Sequence, residues 1–183
     1  MSKKVENIMI KKIVLGGGCF WCIEAVYTRT KGIISAISAY TGGDTLNPTY
    51  NDICTGTTNH AEVVIVSYND EIISLETILE IFWVIHDPTS LNQQGGDRGT
   101  QYRSVIYYDN EEEKNKINTS IEEIQEHFSA KIVTEVSALT TIYEAESYHQ
   151  NYLSNNPSQG YCQAVVAPKV QKFKMNFKEM IKL

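Results

Sequence analysis

Two cysteines in "GGGCFWC" carry the chemistry most readily read from this chain. Cys19 follows three glycines and Cys22 stands three residues on, with Phe20 and Trp21 between them. The glycines separate what reads as a short buried strand, Ile13 to Leu15, from what reads as a helix from Cys19 to about Tyr27. A thiol at a helix start faces backbone N–H groups and the positive end of the helix dipole, which stabilise a thiolate. The expected consequence is a lowered thiol pKa and a reactive Cys19. CxxC at a helix start is also a redox signal. A buried structural cysteine is the competing reading, because free cysteine packs like a small hydrophobe. Three glycines suit close approach by another molecule and count against it.

Adjacent residues on a helix point in different directions, so Phe20 and Trp21 do not both enter one core. At least one is expected beside the thiol. An aromatic wall suits a small apolar group, and thioether and methyl groups pack well on such rings.

A nucleophile needs a proton donor or acceptor. Glu62, in "NHAEVV", lies where a polar loop enters the strongest strand pattern, 61–68. Tyr50 in "NPTY" and Tyr102 in "GTQYRS" lie in or beside two polar stretches, 41–60 and 87–101. Their hydroxyls can donate hydrogen bonds to a substrate oxygen. Asp97, in "GGDRGT", can orient a neighbour or bind a loop amide. Taken singly, Glu62 reads rather as an exposed edge carboxylate, and each tyrosine rather as a packed ring.

The elements that must position these groups follow from periodicity. Strands are expected at 33–40, 61–68, 102–108 and 131–139. Helices are expected after Ser74, over 111–128, over 145–157 and from Pro168 to the end. The two stretches 41–60 and 87–101 read as irregular loops. Residues 1–10 read as a flexible arm and 11–183 as a single catalytic domain, of α+β class with a mixed sheet packed by helices.

Composition bounds the function. The chain has 183 residues, 42% hydrophobic and 21% charged, with a net charge of −6. That is globular, without the basic surface that nucleic acid requires. No apolar run has the length of a membrane span or signal peptide, so a cytoplasmic location and no membrane partner are expected. The four cysteines, at 19, 22, 54 and 162, form one close pair. A zinc site usually needs two such pairs, so no metal is expected.

The ordered set "GGGCFWC", "AYTGG", "NPTYNDICTG", "NHAEVV", "FWVIHDPTSLNQQGGDRGTQYRSVIYY", "AESYHQNYL" and "GYC" resembles the A-type peptide methionine sulfoxide reductases, from about Val14 to Cys162. The resemblance implies a two-layer α/β sandwich. It implies reduction of methionine S-sulfoxide, free or in proteins, by a monomer with no cofactor, using thioredoxin as reductant. On this resemblance Cys19 is the nucleophile, Phe20 and Trp21 bind the methyl group and Glu62 is the acid. Tyr50 and Tyr102 hold the oxygen and Asp97 supports them. Cys162 matches the recycling cysteine and is favoured over Cys22, whose place is glycine in many relatives. Cys54 matches a family cysteine without a catalytic role and is read as structural. Two other classes remain: a thioredoxin-like dithiol oxidoreductase, which would not need Glu62, Tyr50 and Tyr102, and a metal- or redox-binding module without turnover.

Overall fold

The computed structural model describes residues 8–183, so most of the expected arm lies outside it. Ile10, placed in that arm by the sequence, is the first residue of β1 (Ile10–Gly16) and pairs with Asn69. The other strands are β2 (Ile33–Thr41), β3 (Ala61–Asn69), β4 (Gln93–Gln94), β5 (Asp97–Arg98), β6 (Val105–Tyr108), β7 (Glu135–Ala138) and β8 (Ile142–Glu144). Six form one sheet in the order β7-β6-β1-β3-β2-β8. Every pairing in it is antiparallel except β6 with β7, so the sheet is mixed as expected. β4 and β5 make a separate small hairpin.

Helices cover one face of the sheet: α1 (Phe20–Tyr27), α3 (Leu75–Ile85), α4 (Glu111–Gln125) and α6 (Ala167–Asn176). The short helices α2 (Tyr50–Cys54) and α5 (Tyr152–Asn155) lie in connecting segments. Side chains alternate across a strand. In β3, Val64, Val66 and Tyr68 join the core under the helices, while Ala61 and Val63 join a smaller cluster on the opposite face. The two-layer α+β framework is the one expected.

Four local features depart from the sequence reading. The stretch 41–60 contains α2, started by a capping box in which Thr49 and Asp52 exchange hydrogen bonds. The stretch 87–101 contains the β4–β5 hairpin and leads into a 3₁₀ turn, Thr100–Tyr102. The helix expected over 145–157 is broken at Asn151, whose backbone is left-handed, into a 3₁₀ turn (Ser147–His149) and α5. The last helix begins before Pro168, through a π-helical turn over Cys162–Val166. A proline clashes with the carbonyl four residues back, and a widened turn relieves that clash.

Candidate active site

Cys19 is the N-cap of α1, at the end of the strand–glycine turn. Gly18 has φ +84°, and a Cβ there would stand 2.8 Å from the Cβ of Gln94, so the turn requires glycine. The Gly18 N–H donates to the Tyr102 carbonyl at 3.1 Å, which ties the turn to the 3₁₀ segment.

The Cys19 thiol is enclosed, at 8% exposure. Its pKa is pushed well above the ordinary value, first by burial, then by the Glu62 carboxylate and the Cys22 thiol. The Trp21 N–H and the Tyr161 hydroxyl pull it down, by less. The lowered pKa expected at a helix start is therefore overturned: desolvation in an aromatic cage outweighs the helix N-terminus.

Glu62 is the second residue of β3, so strand parity sends it to the face of Val64 and Val66, toward α1. It is buried rather than exposed at an edge. Burial raises its pKa to about 8; the Phe20 N–H, donating to Oε1 at 3.5 Å, lowers it and Asp97 raises it. At neutral pH Glu62 is mostly a carboxylic acid facing Cys19.

Tyr50 and Tyr102 both face Glu62, whose charge adds to the burial that holds their hydroxyls protonated. Tyr50 opens α2, and its N–H donates to Glu146 Oε2 at 3.0 Å. Glu146 also accepts from the hydroxyls of Tyr40 (3.1 Å) and Tyr148 (3.0 Å). One carboxylate thus fixes α2 against the 145–149 segment. Beneath the same loop, a Cβ on Gly43 would lie 2.3 Å from the His60 nitrogen, so the backbone closes around His60 only with glycine there.

Phe20 is buried and Trp21 half-buried, so the two aromatics do diverge. Trp21 stacks on Tyr152 with ring centroids 3.6 Å apart and 2° between planes, and it meets Tyr161 edge-on at 5.7 Å. Its indole N–H donates to His149 Nδ1 at 3.1 Å. His149 lies 5.1 Å from the Phe20 ring and 4.5 Å from the Tyr50 ring.

Asp97, in β5, accepts from the Tyr161 hydroxyl at 2.6 Å. That hydroxyl also lies near both Cys19 and Cys22 and lowers the pKa of each. Cys22 is buried with its pKa raised to about 11 by desolvation. Cys162 is fully enclosed, its N–H held by Gln159 at 3.2 Å, and its pKa is raised by burial alone. All four cysteines are free. Cys54, read as structural, is exposed, with the Tyr50 hydroxyl as its neighbour.

The structure thus brings Cys19, Phe20, Trp21, Cys22, Glu62, Tyr50, Tyr102 and Asp97 to one place and leaves Cys162 enclosed in the adjoining turn. His149, Tyr152, Tyr161 and Glu146 complete it and went unassigned in the sequence. All four stand inside the segments "AESYHQNYL" and "GYC", where polar aromatics and a carboxylate within a matched motif were the available signal. No cluster of metal-ligating side chains occurs among the described residues. No helix among them is long and apolar enough to cross a membrane.

A two-layer α+β fold with an enclosed thiol, a neutral carboxyl and an aromatic cage defines a cysteine-dependent enzyme for a small, partly apolar group. The chain belongs to the peptide methionine sulfoxide reductases, oxidoreductases that return methionine sulfoxide to methionine: the model of that family matches residues 11–181. It is 57% identical over 163 residues to a peptide methionine sulfoxide reductase of Campylobacter jejuni, covering 89% of this chain and 98% of the relative. Among solved structures, reduced Mxr1 from Saccharomyces cerevisiae superposes with a TM-score of 0.79 at 35% identity, covering 87% of this chain and 92% of Mxr1. Mxr1 in complex with Trx2 matches with a TM-score of 0.56 at 25% identity, covering 82% of this chain and 90% of that chain.

Proposed function

We propose that this chain reduces methionine S-sulfoxide, free or in oxidised proteins, with Cys19 as nucleophile and Glu62 as acid. The observation that carries the reading is the pairing of an enclosed thiol with a buried carboxyl whose pKa is about 8. When Glu62 is ionised it repels a Cys19 thiolate. When Glu62 holds the proton, that repulsion is gone. The productive arrangement is thiolate beside carboxylic acid.

The sulfoxide methyl rests against Phe20 and Trp21, and its oxygen faces Glu62, Tyr50 and Tyr102. Cys19 sulfur attacks the sulfoxide sulfur while Glu62 gives its proton to the oxygen. The two phenols stabilise the charge that develops there. Asp97 acts through Tyr161, as a positioning group. The hydroxyl so formed passes from the methionine sulfur to the Cys19 sulfur as the transient S–S bond between them breaks; methionine leaves and Cys19 remains as a sulfenic acid. A second thiol, Cys22 or Cys162, displaces the hydroxyl to form a disulfide, and thioredoxin reduces it by exchange. The yeast relative's complex with Trx2 supports thioredoxin as the partner. Thiol recycling of this kind belongs in a reducing compartment, and we assign the protein to the cytoplasm as a monomer acting without metal or organic cofactor.

The test is NADPH consumption with thioredoxin and thioredoxin reductase, offered each sulfoxide epimer in turn. Turnover on the S-epimer is expected. No turnover on either epimer removes the reading.

A further inference from the structure

We propose that Lys169 is the positioning cation that makes Cys22 the thiol which first attacks the Cys19 sulfenic acid. The inference rests on the reductase reading above and deepens its recycling step, which the sequence assigned to Cys162.

Three observations carry it. First, Cys22 is the third residue of α1, one turn beyond Cys19, and its N–H donates to the Cys19 carbonyl at 3.1 Å. The Tyr161 hydroxyl neighbours both thiols, so both sulfurs face the same point rather than opposite sides of the helix. Cys162 shares no such neighbour: it is fully enclosed at the start of the π-helical turn.

Second, α6 brings Lys169 to the glycine turn. Its Nζ lies 3.9 Å from the place a Cβ on Gly18 would occupy. No carboxylate among the described residues stands within ion-pair distance of it. It also lines a cleft of about 660 Å³ with Trp83, His86, Asp87, Gln94 and Phe128. Asp87, the carboxylate in that cleft, is occupied by Thr89 and Ser90.

Third, the charges around Cys22 leave Lys169 as the group that favours its thiolate most. Asp97 and Glu62 oppose ionisation, and the Tyr161 hydroxyl favours it less than the Lys169 ammonium does. Lys169 is absent from the main influences on Cys19, so the cation acts selectively on the second thiol.

The step balances within the protein. Cys22 thiolate attacks the Cys19 sulfur, the S–S bond forms and the S–O bond breaks. The departing hydroxide takes up the proton that Cys22 released and leaves as water. Cys22 is oxidised and the sulfenic sulfur reduced. A thiolate at Cys22 is needed only here, after methionine has gone.

The experiment is a rapid-quench single turnover with one equivalent of methionine S-sulfoxide across pH 6–9, on the wild type, Lys169→Met and Lys169→Arg. Methionine release reports the first step, and alkylation with peptide mapping reports the disulfide. In Lys169→Met, methionine release is expected at the wild-type rate. Cys19–Cys22 bond formation is expected about tenfold slower at pH 7, with its profile displaced by about one unit to higher pH, the equivalence of one decade in thiolate fraction. Lys169→Arg is expected to restore the profile. An unmoved profile in Lys169→Met, failure of Lys169→Arg to restore the rate, or a first disulfide joining Cys19 to Cys162 would overturn the proposal. Absence of stoichiometric methionine from the wild type would instead overturn the reductase reading beneath it.

Discussion

The indole N–H of Trp21 donates to His149 Nδ1 at 3.1 Å, and this bond decides where the histidine keeps its proton. Burial lowers the His149 pKa, so the ring is neutral, and with Nδ1 accepting, the hydrogen sits on Nε2. Nε2 is buried without a partner. The pair therefore locks the aromatic wall and leaves one donor unused within the cage. His149→Phe keeps a ring against Phe20 and Tyr50 but removes the acceptor. The expected outcome is a loss of about 1–3 kcal/mol in stability, from a stranded indole N–H, and a raised KM for sulfoxide. Urea unfolding and steady-state kinetics measure both. Unchanged stability would mean that water satisfies the indole.

Cys19→Ser is expected to abolish sulfoxide reduction, because a hydroxyl is a poor nucleophile at neutral pH. Methionine release in a single turnover is the measurement. Burial holds the Cys19 thiol protonated more strongly than a free cysteine, which makes the loss sharper: the native site already depends on sulfur's intrinsic nucleophilicity and on Glu62. Appreciable methionine from the variant would place the nucleophile elsewhere.

The residues of the site were legible through the resemblance that compact motifs carry; strand parity puts Glu62 on the face of Val64 and Val66, but that this face is the one covered by helices comes only with the fold. What was illegible depends on distant parts of the chain. The rise of the Cys19 pKa comes first from burial under distant segments of the chain and then from the Glu62 carboxylate of β3, which "GGGCFWC" does not contain. α2 has five residues, too few for a hydrophobic period, and the Thr49–Asp52 cap was its one signal. β8 has three residues at a sheet edge. Pro168 looks like a helix start because proline is common there. Here it sits just inside α6, and the π-helical turn that precedes it has no sequence signature. The partnership of Trp21 with His149 joins residues 128 apart, beyond any local pattern.

Epimer selectivity follows from the two-sided cage. Phe20 and Trp21 offer an apolar surface, while Glu62, Tyr50 and Tyr102 offer donors. Exchanging methyl and oxygen sets the oxygen against an aromatic ring and leaves the donors unpaired, a heavy penalty in a buried site. Activity on the S-sulfoxide with little on the R-sulfoxide is expected, measured as kcat/KM on each. Comparable values would contradict this arrangement of the pocket.

Glu62→Gln separates the chemistry of the carboxyl from its effect on stability. The amide keeps an oxygen to accept from the Phe20 N–H but has no proton to give. Sulfenic acid formation is expected to slow by roughly 10²–10⁴-fold, the range for a positioned general acid. In the wild type the same step is expected to weaken above about pH 8, where Glu62 loses its proton. The stability effect has the opposite sense. The folded pKa of about 8 exceeds the ordinary value of 4.5, so between those limits the folded chain holds a proton that the unfolded chain has lost. Stability then falls as pH rises from about 4.5 to about 8, and beyond that the fold carries the full cost of a buried charge, on the order of a few kcal/mol. Glutamine removes this dependence. Glu24, whose pKa burial raises to about 7, contributes the same trend but is present in both proteins and cancels. Glu62→Gln is therefore expected to melt higher than the wild type at pH 9, with the gap closing toward pH 5. Denaturant titrations at the two pH values measure it. An equal gap at both would show that the carboxyl is not buried as a charge, and the slow single turnover would then need another cause.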